Sequence, residues 1–249
     1  MLKTLLRRRV APLSHIPSGE RVYAIGDVHG CAADFTRLLE AIKADDASRG
    51  PARTTLILLG DLVDRGPDSR AVVERAIHLG SEFPEAVLLK GNHEEILLSA
   101  AEGDRSSLQL FNRVGGRETL LSYGLDERIY DEATLEELAD LIIQWVPAEH
   151  RQFLDAAKDH LAIGDYLFVH AGIRPGVALE EQRSADLRWI REPFLSHKGP
   201  HAAMVIHGHT ITTEPDVRPN RIGIDTGAYN GGPLTAIGLE GADRWFLTS

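Results

Sequence analysis

Apolar positions in this chain change their period several times, and the changes mark out its elements. Val22-Tyr23-Ala24-Ile25, Leu56-Ile57-Leu58-Leu59 and Val87-Leu88-Leu89-Lys90 are short, largely apolar runs, each followed by glycine, the pattern of buried strands. Between the first two, Phe35, Leu38, Leu39 and Ile42 fall at i, i+3, i+4 and i+7, so the spacing predicts an amphipathic helix over residues 32–45. Between the second and third, Val72, Val73, Ala76 and Ile77 form a similar stripe, with Pro67 as an early helix residue and Phe83-Pro84 as the break. The order β-α-β-α-β favours a parallel sheet with right-handed crossovers.

From about Glu95 to His160 the period becomes helical; Leu135, Leu138, Ile142 and Trp145 share one face and Pro147 stops the run. This block holds no cluster of potential ligands and reads as an inserted helical subregion. The final third is β-rich. Leu161-Ala162-Ile163, Gly164-Asp165 and Tyr166-Leu167-Phe168-Val169 form a hairpin signature. Met204-Val205-Ile206 and Arg221-Ile222-Gly223-Ile224 read as further strands, and Leu234–Leu239 with Arg244–Leu247 as a closing hairpin about Gly241. No repeat or linker divides the chain, so the expectation is an N-terminal tail over 1–20 and one domain over 21–249, with 95–160 as its helical subregion.

Composition narrows the function. Among 249 residues, 37 acidic against 27 basic side chains give a net charge of −10, which argues against general nucleic-acid binding. A small anionic substrate stays open, because a bound metal can override the global field. The single cysteine, Cys31, allows no intrachain disulfide, and no apolar run approaches a bilayer span, so a soluble cytoplasmic protein is expected. Lys3, Arg7, Arg8 and Arg9 in the tail, beside Leu2, Leu5 and Leu6, are too few to predict stable membrane association.

The strand ends carry the chemistry. Gly26-Asp27-Val28-His29-Gly30, Gly60-Asp61-Leu62-Val63-Asp64-Arg65-Gly66 and Gly91-Asn92-His93-Glu94 follow the three runs, and carboxyl ends of strands are where an α/β sheet presents ligands. Asp27 and His29 are two apart on a segment expected to be extended, so both point one way and share one ion. Asp61 has two oxygens and can bridge; Asn92, His170 and His209 complete a second shell. Imidazole and oxygen without thiolate suit manganese, iron, zinc or cobalt rather than calcium. Two divalent ions, two carboxylates and a bridging hydroxide sum to about +1, a site for a phosphate dianion with ions roughly 3.5–4 Å apart. His93 is the candidate proton donor to the leaving oxygen and Asp64 its orienting partner. Arg65, Arg191 and Asn92 are the candidate phosphate contacts.

Taken in order, G-D-V-H-G, G-D-L-V-D-R-G, G-N-H-E, His170-Ala171-Gly172 and Gly208-His209-Thr210 resemble the phosphoprotein phosphatase family of metallophosphoesterases. The resemblance implies an α/β calcineurin-like fold, two mixed β-sheets in a sandwich flanked by helices, with a two-metal centre between them. It implies Asp27, His29 and Asp61 at one metal, and Asp61, Asn92, His170 and His209 at the other, with manganese the expected ion in vitro. It also implies His93 with Asp64 as the acid pair and Arg65 as a phosphate ligand. Trp189-Ile190-Arg191 and Ile224-Asp225-Thr226-Gly227-Ala228-Tyr229 resemble the bacterial branch and carry the second phosphate arginine to Arg191. Ile211 stands where the wider superfamily often has a further His, as is usual in this branch.

Other polar residues have plainer readings. Asp225 is expected to close a strand-end turn rather than bind metal, and His207 is at most a neighbour of the ligands. His15, His78, His150, His160, His197 and His201 are expected to be structural or solvated. Cys31 and Arg37 have the C-x5-R spacing of cysteine-dependent phosphatases, but Ala32-Ala33-Asp34-Phe35 is a helix start with an acid where a phosphate cradle needs glycines. The activity expected is a metal-dependent protein serine/threonine phosphatase acting on phosphoproteins or phosphopeptides. The alternative is symmetrical hydrolysis of diadenosine tetraphosphate. A silent phosphate-binding scaffold would have lost a ligand or the acid pair, and none is lost.

Overall fold

The computed structural model describes residues 14–249. Along β1 (Glu20–Ile25) the pleat sends alternate side chains to opposite faces. Val22 and Ala24 join one apolar cluster, Tyr23 and Ile25 another. The same division runs through β2 (Arg53–Leu58), where Leu56 and Leu58 face outward and Ile57 inward. Helices α1 (Ala32–Ser48) and α2 (Ser69–Ile77) cover the outer face of this sheet. Phe35, Leu38, Leu39 and Ile42 are the buried face of α1, as their spacing requires. Pro67 lies outside α2: Asp68 is the N-cap, its carboxylate accepting from the Ala71 amide at 3.0 Å. Capping by aspartate fixes the start two residues after the proline, rather than the ring's fixed φ doing so.

After β3 (Glu85–Leu88), six helices follow: α3 (Asn92–Ala101), α4 (Arg105–Val114), α5 (Gly116–Ser122), α6 (Glu127–Glu132), α7 (Leu135–Trp145) and α8 (Ala148–Asp155). Then come β4 (His160–Ile163), β5 (Tyr166–Val169), α9 (Ser184–Trp189), β6 (Met204–His207), β7 (Asp216–Val217), β8 (Arg221–Gly223), β9 (Thr235–Glu240) and β10 (Asp243–Thr248). The strands form two five-stranded mixed sheets, in the orders β10-β9-β1-β2-β3 and β4-β5-β6-β8-β7. Within them β1, β2 and β3 are parallel, as are β5, β6 and β8, while the two expected hairpins are antiparallel.

Val22, Ala24, Ile57, Phe168, Ile206, Ile222 and Ile237 fill the space between the sheets. Each fully buried valine, isoleucine or phenylalanine among them stabilises by roughly 1.5–3 kcal/mol. On the far side of the second sheet Leu167, Val169 and Val205 pack with Leu187 of α9 and with Phe194. This is the α/β sandwich of two mixed sheets that the motifs imply.

The N-terminal segment is anchored sooner than expected. Residues 1–13 of the expected tail lie outside the described residues. From Ser14 onward the chain is tied down: the Ile16 amide donates to the Gly241 carbonyl at 2.8 Å, and the His15 amide to Asp165 Oδ2 at 2.9 Å. Buried Ile16 joins the core between the sheets, so apolar burial extends past the charged residues that suggested a tail. No described helix is long and apolar enough to cross a membrane.

Candidate metal centre

The loops that leave β1, β2, β3, β5 and β6 converge above the carboxyl ends of those strands. Five non-glycine residues among those described have positive φ: His29 (44°), Asp61 (51°), Asp64 (71°), Arg65 (70°) and His209 (61°). All are candidate site residues. Left-handed backbone costs a residue with a Cβ on the order of 1–3 kcal/mol and persists only where surroundings hold it. At His29 it corrects the sequence argument. Asp27 and His29 do not share a face by strand alternation, because the chain has already turned; the bend itself delivers the imidazole.

Asp61 lies at the focus. Its Oδ2 is 3.5 Å from His170 Nε2, 3.6 Å from His29 Nε2 and 3.9 Å from His93 Nε2. Its Oδ1 accepts from the His93 amide at 3.0 Å. The Glu94 carboxylate fixes the backbone beneath, accepting from the amides of Asp61, Leu62 and Gly91 at 2.7–2.8 Å. The Asp61 side chain rests against Gly91, where a Cβ would meet Oδ1 at 2.1 Å. The glycine before Asn92 is therefore required by close approach of a ligand side chain.

Two groups of donors share Asp61: His29, Asp61 and His93, and Asp61, His170 and His209, with the ligand atoms of each within 4.8 Å of one another. In His29 and His170, Nδ1 faces a backbone carbonyl at 2.9 Å, Val63 and Leu59 respectively. A carbonyl only accepts, so Nδ1 carries the hydrogen and Nε2 presents a lone pair, the tautomer of a metal ligand. His170 Nε2 then faces Asn92 Oδ1 at 3.0 Å and His209 Nδ1 at 3.3 Å. Buried His209 Nε2 has no hydrogen-bond partner. His170 Nε2 and Asn92 Oδ1 meet as two acceptors, which calls for a cation, while His29 Nε2 meets the Arg65 guanidinium in its place, so these residues fit divalent metal ions.

Electrostatics give the same result. Burial pushes His29 and His209 down to about 3 and lowers His170, keeping all three neutral and able to ligate. For His93, burial is outweighed by the charges of Asp61 and Asp64 and the hydrogen bond to Asp64, so its pKa is raised. Burial also raises Asp27, helped by the charges of Asp225 and Asp61, and lifts Asp225 to about 6. For Asp61 burial is outweighed by the His93 charge and the His93 amide, which hold it below the usual carboxylate range. Carboxylates crowded out of water in this way are relieved by a bound cation.

The remaining candidates are also at the rim. Both Asp27 oxygens lie 3.0–3.1 Å from the His209 amide that donates to them. His93 Nδ1 lies 2.7 Å from Asp64 Oδ2. Arg65 reaches His29 Nε2 at 3.0 Å and His93 Nε2 at 2.9 Å with its two terminal nitrogens. Arg191 stands beyond the end of α9, with Nη2 3.5 Å from the His209 carbonyl. Asp225 closes the expected turn by accepting from the Gly227 amide at 3.0 Å, yet its charge reaches Asp27. His207 is a buried core histidine: Nδ1 contacts the Gly208 carbonyl at 3.0 Å and Nε2 accepts from Arg221 at 3.2 Å.

Three contributors lay outside the sequence reading. Glu94 stood within a motif but carried no role. Tyr229 places its ring 5.1 Å from that of His29, edge to face, and 4.7 Å from the Arg65 guanidinium carbon. Thr119, in α5, contacts Asp64, so the helical subregion is part of the site rather than beside it. No local signal marks a lone threonine or tyrosine on a distant element.

Relatives place the chain among phosphoesterases. A symmetrical bis(5'-nucleosyl)-tetraphosphatase of Acidovorax ebreus (strain TPSY) is 37% identical over 160 residues, 64% of this chain and 47% of that protein. The chain thus spans about half the length of that relative. An asymmetrical bis(5'-nucleosyl)-tetraphosphatase, PrpE, of Anoxybacillus flavithermus (strain DSM 21510 / WK1) is 27% identical over 234 residues, covering 86% of this chain and 88% of that one. The crystal structure of a candidate diadenosine tetraphosphatase superposes with a TM-score of 0.66 at 22% identity, over 95% of this chain and 98% of that one. A cold-active protein tyrosine phosphatase superposes at 0.56 and 19% identity, over 94% and 81%; both structural likenesses concern the fold. The sequence relatives carry the name of dinucleoside tetraphosphatases, not of the serine/threonine protein phosphatase branch that the motifs suggested. Residues 20–218 match the calcineurin-like phosphoesterase family, and the chain belongs to it.

Proposed function

We propose that this chain is a metal-dependent hydrolase of dinucleoside tetraphosphates, cleaving diadenosine tetraphosphate symmetrically to two ADP. The observation that carries the chemistry is the Asp61 carboxylate set 3.5–3.6 Å from the Nε2 lone pairs of His170 and His29. The substrate class rests on the relatives' names, and it replaces the phosphoprotein expected from the motifs.

Asp27, His29 and Asp61 would hold one ion and Asp61, Asn92, His170 and His209 the other. When bound, the pair would supply Lewis acidity toward phosphoryl oxygens and lower the pKa of an attacking water. Arg65 and Arg191 bring positive charge to the same rim and offer planar donors to the polyphosphate. His93 differs from the ligand histidines because Asp64 and Asp61 favour its protonated form. A charged imidazole cannot ligate; once Arg65, whose Nη2 faces Nε2 at 2.9 Å, turns to the polyphosphate, Nε2 can hold a proton for a departing oxygen while Asp64 holds Nδ1–H.

Protein loaded with manganese, cobalt or magnesium is offered diadenosine tetraphosphate, a phosphoseryl peptide and a phosphotyrosyl peptide, with nucleotides resolved by chromatography. ADP as the sole nucleotide product, with the highest kcat/KM on the dinucleotide, is expected. ATP plus AMP would move the reading to asymmetrical cleavage, and a higher kcat/KM on phosphoserine would return it to protein dephosphorylation.

A further inference from the structure

The acid pair does not end at Asp64. Asp64 is fully buried, as are Ser69 and Thr119, and His93 is nearly so. Thr119 Oγ1 donates to Asp64 Oδ1 at 2.6 Å, while His93 Nδ1 occupies Oδ2 at 2.7 Å. The Asp64 amide donates to Thr119 Oγ1 at 2.8 Å and to Ser69 Oγ at 3.0 Å. One hydroxyl thus grips both the carboxylate and the main chain of a residue whose φ is +71°. Two further contacts fix α5: the Arg65 amide donates to the Gly115 carbonyl at 3.3 Å, and the Arg70 amide to Ser122 Oγ at 3.1 Å.

We infer that Thr119 is a positioning residue for proton delivery: it orients Asp64 and, through it, the imidazole of His93. The physical reason is directional. A carboxylate with a donor on only one oxygen can rotate about its Cβ–Cγ bond, whereas donors on both fix its plane and so the line of the Asp64–His93 bond. Buried bonds to a charged acceptor are shorter and stronger than neutral ones, as the 2.6 Å and 2.7 Å distances require. The helical subregion therefore enters the reaction through one hydroxyl, at the step where the leaving oxygen takes its proton.

This inference rests on His93 acting as the acid, and its test separates the two ideas. Metal-loaded Thr119→Val, Thr119→Ser and His93→Asn proteins are assayed on p-nitrophenyl phosphate, whose leaving group is acidic, and phenyl phosphate, whose leaving group needs a proton. Valine matches threonine in shape and leaves the Asp64 amide its bond to Ser69. Thr119→Val should lose about tenfold or more in kcat on phenyl phosphate and under about threefold on the nitrophenyl ester, with Thr119→Ser near wild type. In parallel, the Nδ1-bound proton of His93, observed by NMR in 15N-histidine-labelled zinc-loaded protein, should move in Thr119→Val and return in Thr119→Ser. That readout holds whether or not the protein turns over aryl esters. Equal losses on both esters in Thr119→Val, or an unmoved proton resonance, would overturn the role of Thr119. Equal losses in His93→Asn would instead remove His93 as the acid.

Discussion

The space between the sheets and the rim above it are built from the same strands under opposite rules. Between the sheets, alternate residues of β1, β2, β5 and β6 face one another as aliphatic and aromatic side chains. The polar tip in that set, the Tyr166 hydroxyl, is satisfied at the edge, donating to the Ser14 carbonyl at 3.2 Å and accepting from Arg244 Nε at 2.8 Å. A few residues beyond β1, β2 and β6, the backbone turns left-handed at His29, Asp61 and His209, and carboxylates crowd where water is excluded. The interior is stabilising and indifferent to chemistry; the rim is costly and holds all of it. The sandwich supplies the stability that keeps the rim in its strained arrangement, so damage to the two regions should be separable.

The largest effect is expected from Asp61→Asn. The amide keeps the shape but removes the charge both ligand groups share, and it points an N–H₂ at one of them. Several kcal/mol of transition-state stabilisation depends on the ions, so turnover should fall by on the order of 10⁴-fold or more. Elemental analysis should find both ions depleted. Chelation of the wild-type protein should match the loss and also lower the Tm, because ligand present at about 100 times its Kd stabilises by about 2.7 kcal/mol. Full metal content with lost turnover would show that Asp61 is not a ligand.

His93→Asn comes next and discriminates between the substrates. It should leave metal content unchanged and slow departure of an alkoxide by about 10²–10⁴-fold. A terminal phosphate has a second pKa near about 6, so ADP leaves from diadenosine tetraphosphate with little need of a proton. The loss on that substrate should be the smaller. Steady-state kinetics on both substrates decide it; losses of the same size would mean that His93 does something other than protonate the leaving group.

Phe168→Ala attacks the other region. Phe168 is fully buried between the sheets, and truncation there should cost about 3–5 kcal/mol of stability. Folded molecules, counted by metal content, should keep kcat within about threefold. Denaturant melts paired with active-site titration test this; a kcat loss as large as that of His93→Asn would mean that the interior and the rim are not separable.

The same contrast explains what could be read in advance. Short apolar runs and helical stripes are local, so the strands, α1 and α7 follow from residues such as Val22, Phe35 and Leu138. The motifs abut strand ends, so Asp27, Asp61, Asn92 and His93 could be placed on one rim before any fold was known. What escaped depends on long-range contact. Nothing near His29 announces a left-handed turn, because the hydrogen bonds holding that loop come from Asp61 and Leu62 carbonyls in the loop after β2: the His29 amide donates to the Asp61 carbonyl at 2.8 Å and the Gly30 amide to the Leu62 carbonyl at 2.9 Å. Thr119 is 55 residues from Asp64, and Tyr229 is further still from Arg65. The substrate escaped for another reason: every family member with this centre needs the same ligands, so the motifs specify the chemistry and not the nucleotide or peptide attached to the phosphorus.

Cys31→Ser should have the smallest effect, although the residue lies beside the rim and forms half of a C-x5-R spacing. A nucleophilic cysteine needs a thiolate at working pH and a cradle of free amides for phosphate. Burial, aided by the Asp34 charge, pushes the Cys31 thiol up to about 11, so at pH 7 it is protonated. The thiol is spent as a weak donor to the His29 carbonyl at 3.6 Å, and Arg37 is paired with Asp34. Serine keeps the donor in nearly the same volume. Stability should change by less than about 1 kcal/mol, and the substitution should leave kcat/KM within about twofold of wild type. A thiol mechanism would make wild-type activity climb toward pH 11 as the thiolate forms, with Cys31→Ser flat and nearly dead. Parallel pH profiles for the two proteins confine the chemistry to the imidazole and carboxylate groups on the rim.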